Sequence, residues 1–185
     1  MHPLHSFRYC PVCGSERFLE NNIKSKKCGY CGFVYYFNPA AAAAIFITNG
    51  AGELLVVRRA KEPAKDSYDL PGGFTDLYET AEDAIIREVK EETGLQISSP
   101  QYLFSLPNVY QYSGFDVHTV DLFYQYSVDT FFGLQAGDDA ESLLVLRKNE
   151  IRPELFGLNS IRRAVEIWIK PSCTFPHFSV KRSKT

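Results

Sequence analysis

The chain has 185 residues, 45% of them hydrophobic and 23% charged, with a formal net charge of −2. That balance excludes a disordered tail, and the length suits one ordinary domain with a small appendage, not two full-sized domains. The longest unbroken apolar run, Ala40 to Ile47, is far short of the roughly 18 residues that span a bilayer. The start lacks the basic and apolar pattern of a signal peptide, so no membrane partner and a cytoplasmic location are expected. The near-neutral charge exerts no global pull on nucleic acid, and Lys24, Lys26 and Lys27 read as a small solvated basic loop.

Residues 1–38 carry two Cys-x-x-Cys pairs, Cys10 with Cys13 and Cys28 with Cys31, each followed by a glycine. Glycine allows the tight backbone that lets amides point at thiolate sulfurs. Two such pairs suit tetrahedral Zn²⁺ with bonds of about 2.3 Å. A segment this short cannot hold itself together by burial alone, so the zinc is expected to be structural. A redox-active dithiol competes, but it needs only one pair. The segment resembles a zinc ribbon. His2 and His5 are spare ligands nearby, and Cys173 reads as a small buried hydrophobe.

Asn38 and Pro39 punctuate the boundary to a second unit, residues 39–185. Residues 41–48 read as a buried strand, 49–52 as a turn and 53–58 as the returning strand of a hairpin. A helix is predicted over 80–93, strands over 96–105, 118–128 and 142–146, and a final helix over 159–169. Strands and helices mixed within one unit argue for an α/β fold.

The helix over 80–93 is well signposted, with Thr80 as N-cap, Asp83 three residues on and Gly94 as the stop. At about 100° per residue, Ala81, Ala84, Ile85 and Val89 share one face, and Glu88, Glu91 and Glu92 fall at its edge. Like charges at these spacings repel and oppose the helix dipole. Partly buried carboxylates need a counter-charge, and a hard divalent cation with oxygen ligands supplies it, Mg²⁺ first. An acidic helix end solvated by water is the bland alternative.

From Gly73 the chain shows five residues, Glu79, seven residues, then Arg87, Glu88, Val89, Lys90, Glu91, Glu92, Thr93, Gly94 and Leu95. This is similar to a complete Nudix box, preceded by the family's usual approach over 68–74. The position before Glu79 is Tyr78, where the family commonly has a small residue. The resemblance implies an α/β/α sandwich with a mixed sheet, and a hydrolase acting on phosphoanhydride bonds. It implies that Glu88, Glu91 and Glu92 bind Mg²⁺ or Mn²⁺, with the Gly72 carbonyl as a further ligand. One carboxylate, Glu91 by preference, takes a proton from water. Arg87 and Glu79 pair to fix the loop-helix-loop.

Outside the box, Arg58 and Arg59 either contact phosphate or form a solvated strand end. Glu141 is either one more carboxylate ligand or part of an acidic turn. Tyr110, Tyr112 and Phe115 cluster in a loop that stacks on a base or packs in a core or a homodimer interface. A ribbon directly before a Nudix domain resembles NADH pyrophosphatases. Those enzymes carry Ser-Gln-Pro-Trp-Pro-Phe-Pro where this chain has Ser105, Leu106, Pro107, Asn108, Val109 and Tyr110. The small-molecule substrate therefore stays open among NADH, ADP-ribose, a nucleotide sugar, coenzyme A and a capped RNA end. A non-catalytic nucleotide- or RNA-binding module is the alternative.

Overall fold

The structure, a computed structural model, describes residues 2–137 and 140–170, without the side chains of Ala140 and Glu141. The expectations for the Glu141 carboxylate and for Cys173 lie outside the described residues.

A three-stranded antiparallel sheet comes first: β1 (Phe18–Asn22), β2 (Ser25–Cys28) and β3 (Val34–Tyr36). Lys26 departs from the solvated reading. It lies in β2, is only 7% exposed, sits over the Phe18 ring and donates to the Phe7 carbonyl at 2.7 Å. The long aliphatic stem makes such burial tolerable once the ammonium has partners.

The second sheet is built on β4 (Ala40–Thr48), β5 (Leu54–Arg59), β6 (Tyr68–Asp69), β7 (Gly72–Phe74), β8 (Gln101–Tyr112), β9 (Phe115–Ser127) and β10 (Ala140–Leu146). Its order is β10-β5-β4-β9-β8, with β6 on β5 and β7 on β4. The β4–β9 pairing is parallel and the others antiparallel, so the sheet is mixed. Helix α1 (Ala81–Thr93) covers one face and α2 (Asn159–Trp168) the other. Strand alternation makes this possible. Ala43, Ile45 and Ile47 of β4 pack with Ile85 and Val89, whereas Ala44 and Phe46 pack with Ile161, Ala164 and Val165. The expected α/β/α sandwich is therefore present. Among the described residues no helix is long and apolar enough to cross a membrane.

Two expectations fail at the β8–β9 hairpin. The strand expected over 96–105 instead begins at Gln101 and continues through Pro107 to Tyr112. Proline cannot donate to a ladder, but β8 lies at the sheet edge, where a missing N–H is tolerated. Tyr110, Tyr112 and Phe115 are consequently strand residues, not loop residues. The turn between them is only Ser113 and Gly114, both at positive φ (50° and 74°), the signature of a two-residue hairpin turn.

Candidate functional site

The four cysteine sulfurs lie within 4.8 Å of one another. Cys10 and Cys31 sulfurs are 3.7 Å apart, and those of Cys13 and Cys28 3.6 Å. Tetrahedral zinc with bonds of about 2.3 Å places its sulfurs roughly 3.8 Å apart, so the donor set fits. The glycines close tight turns, as expected, and amides of the second turn point at a sulfur. Gly14 and Gly32, at φ 70° and 78°, donate to the carbonyls of Cys10 and Cys28 and so close each turn. The Cys28 sulfur receives the amides of Tyr30 and Cys31. Led by the Cys31 amide, these bonds pull the Cys28 thiol down to about 6, favouring the thiolate that a metal requires.

Helix α1 carries the second acidic group of interest. Thr80 caps it at φ −79° and ψ 159°, its hydroxyl accepting the Asp83 amide, and Gly94 ends it at φ 74°. Its C-terminal carbonyls, the groups that acidic residues would otherwise crowd, are satisfied from outside: the amides of Gln135 and Gly137 donate to the carbonyls of Thr93 and Glu92. Strand β7 then brings the glycines of the box against the helix. Gly72 crosses beside Ala43 and Ala44 at φ 150°, too close for a Cβ, and a Cβ on Gly73 would fall on the Glu88 carboxylate. The Gly72 amide donates to Glu92 at 3.0 Å.

Arg87 ties the acidic cluster together with all five of its N–H donors. Two go to Glu79 at 2.9 and 3.0 Å, one to Glu88 at 2.8 Å, one to Glu91 at 3.1 Å and one to the Phe74 carbonyl. This fork holds the Glu79 carboxyl below the usual carboxylate range. Burial acts oppositely on Glu88 and raises it, against the pull of Arg87. Lysine retains the charge but not the fork. Arg87→Lys is therefore expected to lower stability by about 2 kcal/mol, read as a shifted denaturation midpoint; an unchanged midpoint would contradict this role.

A cleft of about 400 Å³ opens above these groups. It brings together Gly72, Glu88, Glu92, Arg59 and Tyr110, drawn from β7, α1, β5 and β8. Glu79, Glu91 and Arg58 do not line it. The Glu91 side chain is 59% exposed and turned to Arg87. Arg58 stands 3.7 Å from Asp66 on the outer side. Arg59 does line the cleft, but its guanidinium is held by Asp69 at 2.5 Å and by the Pro63 carbonyl at 2.7 Å. Burial raises the Asp69 carboxyl while Arg59 opposes that rise.

The cleft floor also contains residues that sequence reasoning passed over: Asp69, Asn108, Thr119 and Asp121, each at most 7% exposed. Asp121 accepts from Thr119 and from Ser160 of α2, both at 2.5 Å. Asp121 stands between Val120 and Leu122, and a carboxylate inside an apolar strand was the available signal.

Whether the upper rim suits a divalent cation is decided by its donors. Glu88 and Glu92 face one space with hard oxygen atoms, and Gly73 lacks the Cβ that would displace Glu88. That set fits Mg²⁺ or Mn²⁺.

The NUDIX domain model matches residues 38–163. Over 106 residues the chain is 32% identical to the NAD-capped RNA hydrolase NudC of Vibrio parahaemolyticus, covering 57% of this chain and 40% of that protein. It is 35% identical over 127 residues to the ADP-ribose pyrophosphatase of Methanocaldococcus jannaschii, covering 68% of this chain and 66% of that protein. A solved NUDIX hydrolase from Nitrosomonas europaea shares the fold at a TM-score of 0.67 and 19% identity, covering 88% and 90% of the two chains. Since the family model spans most of the sequence, including the whole of the box, the chain belongs to the NUDIX family.

Proposed function

We propose that this chain is a Mg²⁺- or Mn²⁺-dependent hydrolase that cuts the diphosphate bond of a nucleoside diphosphate linked to another group. One observation carries the reading: Glu88, Glu92 and Gly72 face the same cleft as Arg59 and Tyr110. The names of the relatives support the substrate class, NAD-capped RNA for one and ADP-ribose for the other. The match spans only 40% of the first, so NADH, ADP-ribose, nucleotide sugars and capped RNA ends all belong to the proposed range.

Glu88, Glu91 and Glu92, with the Gly72 carbonyl, are the proposed ligands. When bound, the cation neutralises diphosphate oxygens and lowers the pKa of a water. Glu92 is steadied by the Gly72 amide and Glu88 by Arg87. Glu91, the proposed proton acceptor, shares Arg87 with Glu88, so its carboxylate must turn from the exposed side into the cleft to act. Arg87 and Glu79 position the others. Arg59, anchored by Asp69, and Tyr110 are proposed to face substrate, whereas Arg58 reaches it only by leaving Asp66. The four cysteines are proposed to hold one structural zinc in a ribbon over residues 1–38, with the hydrolase unit over 39–185.

Incubated with Mg²⁺ or Mn²⁺, the protein is expected to release a mononucleotide from at least one member of a panel comprising NADH, ADP-ribose, nucleotide sugars, coenzyme A and NAD-capped RNA. No release from any member, in either metal, refutes the hydrolase reading and leaves a binding module.

A further inference from the structure

On the cleft floor one polar side chain stands out by what it lacks. Asn108 is 7% exposed and lines the cleft, yet among the described residues no hydrogen bond reaches its carboxamide. Its neighbours do not need it. Thr119, directly opposite in the β8–β9 register, donates to Asp121, whose other oxygen is taken by Ser160. Asp69 is occupied by Arg59 and by the Leu70 amide. The polar atoms of Asn108 are not fully enclosed, so they open onto the cleft, where a ligand can take the bonds that no protein group takes. The surroundings are built to hold the residue still: it sits in a regular ladder between Leu106, which is buried, and Tyr110, which lines the cleft.

We infer that Asn108 is a specificity-determining residue, whose carboxamide reads a ligand edge presenting a hydrogen-bond donor beside an acceptor. A carboxamide side chain offers one acceptor oxygen and an NH₂ donor, the complement of such an edge. Asparagine reads the amino edge of adenine in this way. In the ligands that the relatives' names point to, that chemistry is carried by the 6-aminopurine edge and by the carboxamide of nicotinamide. The inference rests on the proposed function in taking the occupant of this cleft to be a nucleotide.

The test is equilibrium binding of mononucleotides, which contain no diphosphate bond to cut. AMP is compared with purine riboside 5′-monophosphate, which lacks the 6-amino donor, and nicotinamide mononucleotide with nicotinic acid mononucleotide, against wild type, Asn108→Leu and Asn108→Asp. Wild type is expected to prefer the amino or amide member of one pair by about tenfold or more, equivalent to about 1.4 kcal/mol. The pair that discriminates identifies which edge is read. Asn108→Leu is expected to erase that preference. Asn108→Asp, which keeps the size and removes the NH₂ donor, is expected to weaken it and guards against a folding defect in the leucine variant. Equal binding within both pairs by wild type, no binding of any of the four, or a preference that survives both substitutions overturns the inference. Because no hydrolysis is read, these outcomes are independent of the substrate panel: a dead panel with intact discrimination sinks the hydrolase alone, and an active panel without discrimination sinks the reader alone.

Discussion

Turnover in Glu92→Gln is expected to fall by about a thousandfold or more, with the fold intact. Glu92 is a proposed metal ligand whose carboxylate lines the cleft and accepts the Gly72 amide at 3.0 Å. Glutamine keeps an oxygen for that amide, so the β7–α1 contact survives, but it removes a negative charge from the ligand set. A cation held by hard anionic oxygens loses most from that change. Circular dichroism and the denaturation midpoint should stay close to wild type, which separates loss of chemistry from loss of structure. Raising Mn²⁺ should recover part of the rate. Glu91→Gln is the informative comparison, because its carboxylate is 59% exposed and lies outside the cleft lining. An equally large loss there supports a carboxylate that swings in during the reaction. Undiminished turnover in Glu92→Gln would overturn the metal assignment.

The second large effect concerns the ribbon. In Cys10→Ser, zinc content is expected to fall from about one per chain to near zero under reducing conditions. Amide protection across β1, β2 and β3 is expected to fall with it. The physical reason is the small size of the local core: among the described residues the cluster at the cysteines consists of Cys10, Phe18 and Cys28, with Phe33 packed against them. Zinc contributes about 10–16 kcal/mol to folding in comparable peptides, far more than one phenylalanine supplies. The amides of α1 should remain protected, since that helix packs on Ile45, Ile47 and Tyr124 and touches none of the cysteines. A wild-type protein without zinc that forms disulfides reversibly would return the cysteines to redox chemistry. Retained zinc in Cys10→Ser would exclude the four-thiolate site.

Local chemistry was legible in the sequence wherever partners lie a few residues apart. Thr80, Asp83 and Gly94 set the ends of α1 because capping is a contact within one turn. The pairing of Arg87 with Glu79 was readable as part of a known motif, and the spacing of the two cysteine pairs foretold that four sulfurs gather at one point. The unbroken apolar run of β4 foretold a buried strand, and it is covered on both faces.

Tertiary structure decided the rest, because periodicity carries no information about which distant residue arrives opposite. Whether Pro107 ends a strand depends on whether that strand is an edge. Whether Arg59 is a solvated end or part of a cleft depends on Asp69, ten residues away on another strand. Ser160 reaches Asp121 across 39 residues, a contact that no local pattern announces. The carboxylates of α1 were likewise readable as a group, but their division was not. Glu88 and Glu92 turn into the cleft and Glu91 turns out, as fixed by a glycine strand and a single arginine fork. The proposed metal-binding end of this cleft is thus written in one contiguous motif, whereas the proposed recognition end is assembled from β6, β8, β9 and α2 by register and packing alone.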